Sequence, residues 1–175
     1  MSMPPRQDRP SRIGIAALIA VSAMLSITGC GTSTSTSTST GGTTVEPATV
    51  EKDVVDIVER SAAVVGGTWK VYSGPSVEAC GEGAEDRARY VYIMERTGTE
   101  GTAPKTDVQT MQDFWDGEGI TTTPYRSGGS DPLLGMRGKG GPTTSIAFNA
   151  YPQRYSITAV SGCADGDVSD LRKNE

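Results

Sequence analysis

The sequence predicts an α+β fold: a two-layer sandwich in which an antiparallel sheet of about five strands carries two helices on one face. Three observations predict it. Apolar residues recur at helical spacing in two separate segments. Short runs rich in branched and aromatic residues lie between and after them. The last of these runs are joined by connections so short that they imply hairpins.

The first helix is expected over Val50 to Val65, where Val50, Val54, Ile57, Val58, Ala62 and Val65 form one stripe. Glu51 and Asp53 suit its positive end and Arg60 its negative end, and Gly66 and Gly67 supply a stop. Thr68 to Tyr72 alternates as a strand, with Trp69 and Val71 on one face and an end at Gly74 and Pro75. Arg87 to Arg96 is the strongest strand. Tyr90, Tyr92 and Met94 share one face while Val91 and Ile93 share the other, as in a central strand. Thr106 and Gln109 make a capping-box pattern for a second helix, which presents Val108, Met111 and Trp115 on one face and ends at Gly117. Strands follow over Ile120 to Arg126, Leu133 to Arg137, Thr143 to Ala150 and Arg154 to Val160. Pro124 marks an edge or a strand end, and Gly138 to Gly141 marks a turn.

Ahead of this domain lies a different kind of chain. Arg6, Arg9 and Arg12 are opposed only by Asp8, and an apolar run from Ile13 to Ile27 follows. That order is the order of a secretory signal. The run of fifteen residues rises about 22 Å as a helix, short of a hydrocarbon core of roughly 30 Å. It closes on Ile27, Thr28, Gly29 and Cys30, which resembles the bacterial lipobox. The resemblance implies cleavage before Cys30 and a diacylglycerol on its sulfur, hence anchorage to the membrane through lipid on Cys30. Acyl chains contribute about 0.8 kcal/mol per buried methylene. The alternatives are a plain signal peptide and an uncleaved span that happens to end in cysteine.

The chain therefore divides into a lipoprotein signal peptide (1–29), a lipidated Cys30 with a disordered Ser/Thr/Gly linker (30–48), the α+β domain (49–165) and a polar tail (166–175). The tract from Gly31 to Thr44 buries no apolar surface to offset its ordering entropy, and its average reach is roughly 20 Å. Without residues 1–29, 146 residues remain, with 13 basic against 20 acidic side chains. That balance argues against nucleic acid as a partner. With Cys30 acylated, Cys80 and Cys163 are left, and in an exported domain a disulfide between them is expected, free thiols being the alternative. The absence of histidine removes histidine-based triads and imidazole metal ligands.

Gly67 to Lys70, Cys80, Ser156 to Thr158, and Gly162 with Cys163 resemble the actinobacterial lipoproteins of the LppA type. The resemblance spans roughly residues 50–165, implies a cell-surface lipoprotein and brings no activity with it.

Catalytic candidates are few. Asp113, Asp116 and Glu118 are the carboxylates near one helix end that a glycosidase-type hydrolase would need. Asp165, Asp167 and Asp170 resemble part of a calcium loop without its closing glutamate, and read as solvated tail. Gly138 to Pro142 fits a hairpin turn rather than a phosphate loop. Tyr90, Tyr92, Trp115, Tyr125, Tyr151 and Tyr155 either pack the sheet or line a groove for sugar or lipid. The expectation is a non-enzymatic, lipid-anchored protein on the extracytoplasmic face of a cell membrane, in contact with an envelope protein or the cell wall. No cofactor or metal is expected. The alternative is a binding or carrier module for a small apolar or sugar ligand, marked by a pocket between helices and sheet.

Overall fold

The computed structural model describes residues 44–98, 101–130, 132–151 and 153–175. The expected signal peptide, the lipobox-like stretch with Cys30 and the Ser/Thr tract to residue 43 lie outside them. The order is α1 (Pro47–Val65), β1 (Thr68–Ala79), β2 (Arg87–Thr97), α2 (Pro104–Gly117), β3 (Ile120–Ser127), β4 (Leu133–Gly140), β5 (Thr143–Tyr151), β6 (Arg154–Ser161), β7 (Ala164–Asp165) and α3 (Val168–Arg172). The strands form one seven-stranded sheet in the order β1-β2-β6-β5-β4-β3, with β7 beside β2. All pairings are antiparallel. The α+β class holds, but the sheet is larger than the five strands expected. Two-residue β7 is too short to carry a periodicity that a sequence can display.

The chain forms a β1–β2 hairpin, crosses through α2 to the far edge, and walks back as the meander β3-β4-β5-β6. Strand β6 thereby lands beside β2 and closes the sheet. Alternation sorts the residues. Tyr90, Tyr92, Ile157, Phe148, Ile146 and Met136 are buried on the face that the helices cover. Val54, Ile57, Val58 and Ala62 of α1 meet Met111 and Trp115 of α2 in the same core. The Trp115 indole N–H donates to the Ser61 hydroxyl at 2.8 Å, and that hydroxyl donates to the Ile57 carbonyl at 2.6 Å. Gly138 leaves room beneath them: a Cβ there would stand 2.6 Å from Ile120 Cγ2 and 3.4 Å from Trp115 Cε3. Tyr155 packs edge-on to Phe148, with ring centres 5.5 Å apart. Among the described residues no helix is long and apolar enough to cross a membrane.

Local expectations change at several elements, among them the turn expected over Gly138 to Gly141, where strand β4 runs on to Gly140, and the charges expected at the ends of α1, whose first and last turns hold none. Helix α1 starts at Pro47, where a proline in the first turn forfeits no intrahelical bond. Strand β1 does not end at Gly74 and Pro75; it passes through them with shifts of register and runs on to Ala79. Gly74 has φ 88°, and a Cβ there would collide with the Val91 carbonyl oxygen. Helix α2 starts at Pro104 with Ala103 as its N-cap, so Thr106 and Gln109 make no capping box. Asp107 instead reaches back to the Ala103 N–H at 2.9 Å, and Gln109 donates to Asp113. The expected polar tail holds α3, whose N-cap Asp167 accepts from the backbone of Ser169 and Asp170 and whose Val168 is buried.

Trp115→Ala removes the largest fully buried side chain and takes the indole donor from the Ser61 oxygen, which keeps only its bond to Ile57. The expected cost is about 3–5 kcal/mol, read as a fall in the urea midpoint at constant slope.

Candidate functional site

The ends of β1 and β7 meet at the start of β2, through the pairs Ala79 with Ala88 and Ala88 with Ala164. This brings Cys80 and Cys163 to a Cα separation of 5.8 Å, and they form a disulfide across 83 residues of sequence. Cys30, the third cysteine, lies outside the described residues.

The carboxylates do not converge. Asp113 accepts from Gln109, Asp116 from the Thr122 hydroxyl, and Glu118 takes a two-pronged bond from Arg60 at 2.6 and 2.8 Å. The Arg60 guanidinium holds the Glu118 carboxyl below its ordinary range. Asp165 accepts from the Val45 N–H, Asp167 caps α3, and Asp170 pairs with Lys173. Each acid serves a local structural partner, and among the described residues no three metal-binding side chains come together.

The six aromatic candidates divide between the two faces of the sheet. Tyr90, Tyr92, Trp115 and Tyr155 are buried under the helices. Tyr155 donates to Asp107 of α2 at 2.6 Å; burial first, then that carboxylate, drives its pKa well above the ordinary value. Tyr125 and Tyr151 stand half-buried on the opposite, uncovered face. There the Tyr125 hydroxyl bonds the Asn149 side-chain oxygen, the Asn149 amide donates to Ser156 at 3.0 Å, and the Tyr151 hydroxyl is 3.3 Å from that of Tyr125. The Tyr125 ring lies over Gly135, whose missing side chain leaves it room, and Arg137 sits 5.2 Å from the ring centre. Burial, followed by the Tyr151 hydroxyl, pushes the Tyr125 phenol up to about 12 against the lowering effect of Arg137. Beside this ladder a shallow depression of about 290 Å³ is lined by Arg137 and Lys139 with the hydroxyls of Thr121, Thr123, Thr144 and Ser145.

The layer between helices and sheet holds Trp115, Met111, Ile57, Phe148 and Ile157, all fully buried. Larger depressions lie at its rims. One, of about 640 Å³, lies between the start of α1, the bend of β1 and α3, with Tyr90 among its lining residues. Another, of about 360 Å³, lies between α2 and strands β3 and β4. Sequence reasoning did not single out Asn149 or Arg137. Alternation along β4 and β5 places both on the uncovered face, but only the register of Tyr125 opposite Gly135, and Gly135 opposite Asn149, shows that they meet.

Replacing both Cys80 and Cys163 with serine is expected to cost about 4–5 kcal/mol of stability. Non-reducing peptide mapping should recover the linked pair, and alkylation of both thiols in the unreduced protein would refute it. A second expectation concerns alkali. Below pH about 10 both folded and unfolded chains keep the Tyr125 proton. Above it the unfolded chain releases a proton that the fold retains, so stability falls between pH 10 and about 12. Tyr125→Phe should remove part of that slope in denaturation curves taken across the window.

No family model matches the chain, and no curated protein matches it. A solved structure, that of a DUF4853 family protein from Actinomyces odontolyticus, is similar at 15% identity with a TM-score of 0.43. The match covers 68% of this chain, which spans 64% of that protein's length.

Proposed function

We propose that the chain is a lipid-anchored protein on the extracytoplasmic face of a bacterial plasma membrane, akin to the LppA-type lipoproteins, with a non-enzymatic interaction or structural role. The observation that carries this reading is the Cys80–Cys163 disulfide in a chain whose first cysteine, Cys30, closes a stretch that resembles a lipobox. Disulfides persist where the surroundings are oxidising, which fits export. Lipid on Cys30 would hold the chain at the membrane, and the Ser/Thr tract would set the domain off from it. The dispersal of Asp113, Asp116 and Glu118 to separate partners supports a role without hydrolysis. The uncovered sheet face, with Tyr125, Tyr151, Arg137 and Lys139, is the surface offered to an envelope protein or to the cell wall. A second reading, a binding module for a small ligand, is favoured by the groove beside Tyr90.

Metabolic labelling of producing cells with an alkyne fatty acid tests the anchor. The natural chain is expected to take the label and to fractionate with membranes, and Cys30→Ala to lose both properties. Label on the variant, or recovery of the natural chain as an unacylated soluble species, would overturn the assignment.

A further inference from the structure

The groove beside Tyr90 has a floor and walls of opposite character. Its floor is the Tyr90 side chain, which is only 4% exposed. Among the described residues its hydroxyl has no hydrogen-bond partner, while every buried side-chain polar atom among them has one. The hydroxyl is therefore not sealed in the core; it opens into the groove that it lines. Glu51 of α1 and Glu175 line the same groove and act electrostatically on that phenol, which burial foremost holds above its ordinary pKa. A side-chain oxygen of Glu175 is itself fixed by the Val77 N–H. Glu46 adds a third carboxylate, while Pro47, Pro75, Val77 and Leu171 supply apolar wall. Among the described residues no lysine or arginine lines it. Arg172, on the same segment, commits its Nε–H to the Val77 carbonyl at 3.1 Å.

These features select a ligand chemistry. Three carboxylates outweigh the half positive charge, about +0.5, at the start of α1 together with the neighbouring Arg172 guanidinium, so an anion is disfavoured. A sugar gains most from an exposed aromatic face, and the Tyr90 ring is covered. Among the described residues no three acids converge as a metal would require. Carboxylates beside apolar wall favour an organic cation with an apolar part. We propose that the groove binds a primary alkylammonium, its N–H donors shared among the Tyr90 hydroxyl and the carboxylates of Glu51 and Glu175, its chain lying on Pro47, Pro75 and Leu171. The proposal rests on the second reading above, that the groove admits a small ligand, and narrows the chemistry of that ligand.

The full chain in detergent micelles, labelled at tyrosine and valine, is titrated with n-butylammonium and with n-butanol, following the Tyr90 ring and Val77 amide resonances. Butylammonium is expected to shift both saturably and to bind about tenfold tighter than butanol, as charge-assisted hydrogen bonds require. Glu51→Gln and Tyr90→Phe should each weaken it about tenfold, the latter read at Val77. Asp113→Asn, remote from the groove, should leave it unchanged. Glu51 is only part-buried, so its isosteric variant carries the test if Tyr90→Phe fails to fold. Equal affinity for the two probes, or indifference to Glu51→Gln, overturns the ammonium assignment and leaves the small-ligand reading standing. If neither probe moves Tyr90 or Val77, both fall.

Discussion

The bond from the Trp115 indole to Ser61 holds the two main helices in register above the sheet. A buried indole N–H without a partner would cost about 1–3 kcal/mol, and Ser61 is the residue that supplies the acceptor. Serine inside a helix commonly bonds the carbonyl four residues back. Here that bond to Ile57 spends the hydroxyl proton and leaves the oxygen turned to Trp115. The contact fixes how α1 and α2 are rotated about their axes, and so directs both apolar stripes at one face. Gly138 and Ile120 complete the arrangement from below, because any side chain at Gly138 would meet Ile120 and the indole.

A filled layer has a consequence for function. Trp115, Met111, Ile57, Phe148 and Ile157 occupy the space that an internal carrier would keep for its ligand. Concave surface is found instead on the uncovered sheet face and at the rims. The two surfaces differ in charge. Arg137 and Lys139 line a hydroxyl-rich depression on the open face, whereas Glu46, Glu51 and Glu175 line the groove at the opposite edge of the sheet. The same edge is also protected. Unpaired strand backbone invites pairing with another chain; at Val77 of β1 the side chains of Glu175 and Arg172 satisfy both the N–H and the carbonyl. The other edge, β3, carries Pro124, which has no N–H to offer.

Much of this was legible where a local period carries the information. The α1 stripe, the Met111 and Trp115 face of α2 and the two faces of β2 follow from spacing, and all three elements bury the faces expected. The cysteine pair was legible by a different route, since with Cys30 set aside Cys80 and Cys163 admit one pairing. Local rules failed where two competed. Thr106 and Gln109 fit a capping box, but Pro104 opens the helix, the N-cap falls three residues earlier at Ala103, and Asp107 reaches back to its N–H. Gly74 and Pro75 read as a strand end, but pairing with β2 carries the strand through a bulge. Asp167 to Asp170 read as solvated tail because five residues are too few for a stripe, and α3 is ordered instead by Val168 packing and by its contacts with β1.

The sequence by itself determined the two long helices, the stretches of the six longer strands and the one pairing open to Cys80 once Cys30 is set aside, because each rests on residues near one another or on elimination. It also carries the basic residues, the apolar run and the lipobox-like ending at Cys30 on which the proposed anchor rests. Tertiary structure alone decided that β6 enters between β2 and β5, that four of the six aromatics go under the helices while Tyr125 and Tyr151 stay outside, and that Tyr90 floors a groove with Glu51 and Glu175. Those outcomes depend on pairings between strands far apart in the chain. A periodicity says which side of a strand is buried; it holds no record of which neighbour lies beside it.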